Sequence, residues 1–123
     1  MIKINGYSEI GHMSGYTVTI QASEKVNELF KEIREKLKFP YFGDNWNALR
    51  DCLCDLSWLN VEQVNLVQEG IPLANNTEDL QMYIRVLLEA SERVEQIKFP
   101  PLKKLNIIVS RELIETAFND RLI

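Results

Sequence analysis

The sequence predicts an α/β domain built on a small, mainly parallel sheet covered by helices. Short runs rich in β-branched and aliphatic residues alternate with longer segments whose apolar residues recur at helical spacing, an order that favours parallel strands joined by helical crossovers. A late run, Leu105 to Val109 (LNIIV), is almost wholly apolar, as expected of a strand covered on both faces and placed centrally. The chain has 123 residues, 46% of them hydrophobic, which suffices for one core, and no repeat or linker divides it. A single domain over residues 1–123 is expected.

The elements follow in order. Met1 to Asn5 and Tyr16 to Gln21 alternate apolar and polar residues and predict two strands, separated by the turn-rich GYSEIGHMSG. Ser23 is positioned to cap a first helix, with Glu24 in its first turn and Val26, Leu29, Phe30, Ile33 and Leu37 as its buried stripe. Glu28, Lys31, Glu32, Glu35 and Lys36 form its solvated face, with pairs four residues apart. Phe39-Pro40 disfavours continuing that helix. Tyr41-Phe42-Gly43-Asp44-Asn45 then turns the chain into a second one, Trp46 to about Cys54, capped by Asp44 or Asn45. A strand around Val64 to Gln68 ends at Gly70 and Pro72. Asn75-Asn76-Thr77 opens a long third helix with Leu80, Tyr83, Ile84, Leu87 and Val94 inward, running to about Ile97 before Phe99-Pro100-Pro101 stops it. After the LNIIV strand, Leu113, Ile114, Ala117, Phe118 and Leu122 predict a C-terminal helix from Ser110.

Composition narrows the function. A net charge of −4 and a pI near 5.0 argue against direct nucleic-acid binding, which needs clustered Lys and Arg to displace phosphate counterions, and suit a basic protein partner. No stretch of about 18 apolar residues is available to span a membrane, and the first residues lack the basic start and apolar run of a signal peptide, so a cytoplasmic protein is expected. Cys52 and Cys54, two apart on a helix, point about 200° from one another and can neither pair nor share a metal.

Catalytic patterns are missing. The single His12 lies in a turn segment and reads as an exposed loop histidine. Cys-x-Cys with one histidine falls short of a zinc ligand set. The phosphate-cradling, dinucleotide-binding and nucleophile-elbow glycine motifs are absent. No enzyme activity, cofactor or metal is expected.

Binding is the remaining reading, and the helix from Trp46 carries it. At 100° per residue, Trp46, Leu49, Leu53 and Leu56 share one side, while Asn47, Asp51 and Cys54 share the other. Asp44 and Asp55 flank that polar side, and Tyr41 and Phe42 stand just ahead of it. Carboxylates and amides edged by aromatics suit an interface anchor as well as they suit a capped, solvated helix.

The run from Phe39 to Leu53, FPYFGDNWNALRDCL, resembles the signature of the barstar family, small intracellular inhibitors of secreted ribonucleases. Its pattern here is Y-[YF]-G-x-N-x-[DN]-A-L-x-D-x-L. The resemblance extends more loosely over about residues 16–110, leaving 1–15 and 111–123 as extensions that would cover a sheet edge or add partner contacts. It implies a three-stranded parallel sheet covered by helices, with the signature helix and its preceding loop inserted into a ribonuclease active site in place of substrate phosphate. Tyr41 matches the family's loop tyrosine, Asp51 the aspartate that meets the enzyme's catalytic basic groups, and Glu89 a contacting glutamate on the long helix. Where the best-known member has an aspartate this chain has Asn47, and where that member has an exposed tryptophan it has Arg50. That exchange shifts the local charge by about two units in the contact zone and implies that the partner is not the same ribonuclease.

The leading expectation is an immunity or antitoxin-type inhibitor of a ribonuclease toxin, acting through Tyr41, Phe42, Asp44, Asn47, Arg50, Asp51, Cys54 and Glu89. The alternative is a regulatory module of the same fold that holds a non-nuclease partner.

Overall fold

The computed structural model describes residues 2–4, 15–96 and 103–118. Strand β1 (Ile2–Ile4) is followed by β2 (Tyr16–Ile20), α1 (Val26–Lys36), α2 (Trp46–Asp55), β3 (Gln63–Gln68), α3 (Thr77–Gln96), β4 (Lys104–Val109) and α4 (Arg111–Phe118). All neighbouring strands pair in parallel, in the order β1-β4-β3-β2. The three strands expected of the family core are β2, β3 and β4. The additional N-terminal strand joins them as a fourth, pairing Ile2 with Ile107 and Ile4 with Val109, so that β4 lies inside the sheet. The expected helix end near Ile97 and Phe99-Pro100-Pro101, the histidine His12 and the tail residue Leu122 lie outside the described residues.

Strand periodicity divides the sheet into two unlike faces. Val18, Ile20, Val64, Leu66, Leu105, Ile107 and Val109 alternate onto one face and join a single buried cluster with Leu29, Phe30 and Ile33 of α1, Leu49 and Leu53 of α2, and Leu80, Ile84 and Leu87 of α3. The other face presents Thr17, Asn65 and Asn106 in one row across the strands, with Val67 beside Ile108 further on. Asn65 is fully buried; its Nδ2 donates to Thr17 Oγ1 at 3.0 Å, and its Oδ1 accepts from Asn106 Nδ2 at 2.9 Å. This row satisfies polar groups that would be costly in a dry sheet. It also fixes strand register, since a one-residue slip would carry every amide to the apolar face.

The helix start expected at Ser23 is corrected. α1 begins at Val26 behind Lys25, which makes no side-chain cap, and its first-turn acid is Glu28, not Glu24. Residue 23 is held in the turn after β2 instead: its N–H donates to Gln21 O at 3.0 Å, and its carbonyl accepts from Leu73 N at 2.8 Å. The solvated face of α1 also has a structural task. Lys36 Nζ donates to Glu32 Oε2 at 2.7 Å and to the carbonyl of Thr19, Glu32 Oε2 accepts from Gln21 N at 2.9 Å, and Tyr16 Oη donates to Lys36 O at 2.7 Å. These bonds stitch the helix to the edge strand β2. Gly15, with φ +96°, opens that strand where an added Cβ would come within 2.4 Å of Gln63 O, so the close approach to β3 requires glycine.

At the other end of the chain, Ser110 Oγ accepts from Leu113 N at 3.1 Å and caps α4. Leu113 and Ala117 are buried. The Ala117 carbonyl accepts from Gln81 Nε2 of α3 at 2.6 Å, so the tail helix packs on the domain's own core.

Tyr83 lies at the centre of the helical layer, fully buried, and its hydroxyl donates to Gln68 Oε1 at 2.7 Å. Gln68 Nε2 in turn donates to the carbonyls of Ile20, Gln21 and Glu69, tying α3 to the ends of β2 and β3. Tyr83→Phe is expected to lower stability by about 1–2 kcal/mol, read as a shift in urea midpoint at unchanged slope. Burial, followed by the Glu32 charge, pushes the Tyr83 hydroxyl well above the usual tyrosine range. The neutral ring therefore contributes stability that is complete below a pH of about 10, the unfolded value, and declines as pH rises above it. The variant should lose part of that alkaline decline.

Candidate functional site

Six aromatic rings seat the loop that leads into α2. Trp58 meets Phe39 edge-on at 5.7 Å, Phe39 meets Phe42 at 5.5 Å, Phe42 meets Phe30 at 5.3 Å, Phe30 meets Trp46 at 4.8 Å, and Trp46 leans on Tyr83 at 6.1 Å. Trp58 Nε1 donates to Leu37 O at 2.9 Å and Phe39 N to Arg34 O at 3.0 Å, closing the end of α1 as the chain turns. The backbone reverses through left-handed residues at Lys38 and Asp44, with φ of 56° and 51°, a conformation that the short polar side chain of Asp44 tolerates better than most.

Asn45 then caps α2. Its Oδ1 accepts from Ala48 N at 2.8 Å, and its Nδ2 donates to Gly43 O at 3.0 Å. One side chain thereby fixes both the helix start and the loop before it. The helix closes at Leu56, a left-handed cap with φ 51° whose side chain is buried. Packing offsets a backbone cost that glycine would avoid.

The expected contact residues separate into two groups. Tyr41 (66% exposed), Asp44, Asn47 and Asp51 stand outward on the loop and the outer face of α2. Arg50 and Glu89 stand beside them across the α2–α3 seam, where Arg50 Nη1 donates to Glu89 Oε2 at 3.1 Å and Nη2 to Asn47 Oδ1 at 3.0 Å. Phe42 and Cys54 turn inward. The Phe42 ring is clasped between Phe30 and Phe39, so it supports the loop from below. Cys54, set by the helical wheel on the polar side with Asn47 and Asp51, packs half-buried against the core, because α3 closes that flank of α2. Burial pushes its thiol up, while the Arg93 guanidinium pulls the other way through its charge and a hydrogen bond. Cys52 is buried beneath the loop, its Sγ lying 3.5 Å from Tyr41 O, and burial likewise raises its thiol.

The carboxylates of this face differ in how much of their charge is committed. Asp44 faces Arg34 Nη1 at 3.8 Å, Glu89 is paired with Arg50, and Asp55 Oδ1 accepts from Ser57 N at 3.3 Å. Among the described residues, Asp51 has no ion pair and no hydrogen bond, although it is exposed at mid-helix. Arg34 and Arg93 were missed by sequence reasoning. Neither had a local signal, since Arg34 meets Asp44 and Arg93 meets Cys54 across the fold. Beside Asp44 an open groove is lined by Val26, Asn27, Phe30, Lys31 and Arg34.

Among the described residues no group of His, Cys, Asp and Glu is arranged to hold a metal ion, and no helix is long and apolar enough to cross a membrane. The arrangement offers a mixed-charge surface on which, among the described residues, Asp51 is a carboxylate without an ion pair.

Replacing Asn45 by Ala removes both of its bonds and is expected to cost about 1 kcal/mol in chemical denaturation. Asn45→Asp, which keeps the acceptor for Ala48 N, should recover most of that loss.

A family model described as Barstar (barnase inhibitor) matches residues 13–105, spanning β2 through the start of β4 and including the whole loop and α2. Neither a curated protein nor a solved structure matches the chain.

Proposed function

The chain belongs to the barstar family, and from that membership and the geometry of α2 we propose that it is an intracellular inhibitor, of immunity or antitoxin type, that occludes the active site of a ribonuclease toxin. The family's role is inhibition of barnase-type ribonucleases rather than catalysis. Residues 16–110 form the inhibitory core in this reading, residues 1–15 and 111–123 are extensions of one domain, and the site of action is the cytoplasm.

The observation that carries the proposal is the uncommitted carboxylate of Asp51 at the middle of an exposed helix face. Phosphate-binding clefts gather cations, and a fixed carboxylate that has no cation of its own is suited to meet them. Asp51 is the central charge, Tyr41 packs at the edge of the cleft, and Asp44, Asn47, Arg50 and Glu89 surround them. Phe42 and Cys54 hold this surface in place from beneath. The mechanism is steric and electrostatic occlusion, with neither turnover nor cofactor.

The Arg50–Glu89 pair favours a second reading, a regulatory module with a non-nuclease partner, because it neutralises one of the carboxylates an inhibitor would present. Capture from native cytosol separates the two. The inhibitor reading requires a basic protein that degrades RNA until the chain is added, whereas a stable partner whose presence leaves RNA cleavage unchanged would support the module. Against the captured ribonuclease, Asp51→Ala is expected to weaken binding by more than about 2 kcal/mol, and association of the native chain should slow as salt rises. A change of a few tenths of a kcal/mol at Asp51 would remove it from the centre of the interface.

A further inference from the structure

The outer face of α2 is not uniformly acidic. Arg50 is held by two acceptors, Glu89 Oε2 from α3 and Asn47 Oδ1 from the preceding turn, at 3.1 and 3.0 Å. Its Nε is buried and has no hydrogen-bond partner, while the side chain as a whole keeps 27% of its exposure. A guanidinium carries five N–H groups. With one used at each terminal nitrogen and Nε enclosed, the second N–H of each terminal nitrogen is left for an acceptor. The residue next in sequence is Asp51, exposed and, among the described residues, without a cation. Two adjacent positions thus offer opposite charges to whatever covers the helix.

This pairing sets a condition on the partner. A wholly basic cleft laid on α2 would satisfy Asp51 and at the same time press cations against Arg50, a like-charge contact made worse by the loss of water. Arg50 cannot escape by losing its proton. Nor can it swing aside without breaking both of its bonds and leaving Glu89 unpaired. A carboxylate placed opposite the guanidinium would meet its remaining N–H groups and complete a fork that Asn47 and Glu89 have already oriented.

We propose, resting on the inhibitor reading, that Arg50 is a specificity-determining residue, admitting a ribonuclease that sets a carboxylate beside the basic group meeting Asp51 and rejecting one whose facing surface is wholly basic. Asn47 and Glu89 are positioning residues in this arrangement, since they hold the guanidinium that makes the contact.

Barnase serves as the probe with a phosphate-binding, basic cleft. Inhibition by the native chain is compared with that by Arg50→Ala, Arg50→Glu and Arg50→Ala combined with Asp51→Ala, after circular dichroism has established that each variant is folded. Arg50→Ala should inhibit at least tenfold more tightly than the native chain, and the added Asp51→Ala should abolish the gain. In the second arm, barnase variants that each carry one basic-to-Glu change around the cleft are scored by direct binding, so that loss of nuclease activity does not matter. At least one should bind the native chain at least tenfold more tightly than it binds Arg50→Glu. The proposal is overturned if Arg50→Ala gains nothing over the native chain, including the case in which neither inhibits, or if no Glu-bearing barnase prefers the native chain. The inhibitor reading fails on different evidence, namely a captured partner whose cleavage of RNA the chain leaves untouched.

Discussion

The aromatic chain from Trp58 through Phe39, Phe42, Phe30 and Trp46 to Tyr83 is the constraint on which the rest of the surface depends. Between α1 and α2 the chain makes a turn that includes two left-handed residues, and such a segment left to itself would sample many conformations. Edge-to-face contacts add about 0.5–1.5 kcal/mol per pair beyond the area they bury. Here they occur in series, so displacing one ring disturbs its neighbours. The last link, Tyr83, is anchored through Gln68 to the ends of β2 and β3. Loop, helix and sheet therefore share one packed assembly, and Tyr41 projects from a backbone that cannot easily yield.

Rigidity of this kind matters because binding costs ordering entropy, about 0.5–1.5 kcal/mol for each rotamer-rich side chain that must be immobilised. In the free protein Arg50 is already held by Glu89 and Asn47, and Asn45 has spent both ends of its amide on the helix cap and the loop. The exposed ion pairs contribute little to stability, since surface pairs are worth roughly 0–1 kcal/mol. Their effect lies in orientation. They leave Asp51 as the charge whose interaction with a partner is not already discounted by one at home.

Much of the fold was legible because periodicity reports burial. The stripe of α1 and the LNIIV strand follow from residue type and spacing and stand where the pattern put them, and of the two cap residues the pattern allowed, Asp44 and Asn45, the second takes the position. The misreadings arose where a tertiary contact outweighed a local preference. Ser23 has the chemistry of a cap, but its backbone is engaged by Gln21 and Leu73, and the helix starts three residues later without one. A helical wheel knows only two sides, so it set Cys54 outward, whereas α3 covers that flank. The loop aromatics looked alike in sequence, yet Phe42 turns into the ring chain and Tyr41 turns out of it. The Arg50–Glu89 bond joins residues 39 apart and has no signature in either segment.

The two groups of site residues are subject to different pressures. Phe42 and Cys54 pack against the core, so changing them would disturb packing and the fold along with it. Asn47, Arg50 and Asp51 project from the outer face of α2, where substitutions away from the core shift stability by only about half a kcal/mol either way. The same helix can therefore keep its seat on the aromatic chain while the charges it displays change sign. The residues that match the family signature at Gly43, Asn45, Ala48 and Leu49 shape the loop, the helix cap and the seat of α2, with Leu49 in the core and Asn45 holding Gly43 O and Ala48 N. In the proposed complex the choice of partner would then fall to Asn47 and Arg50, the positions on the outer face of α2 at which this chain departs from the family's best-known member, while the exposed Tyr41 and Asp51 keep the family's residues.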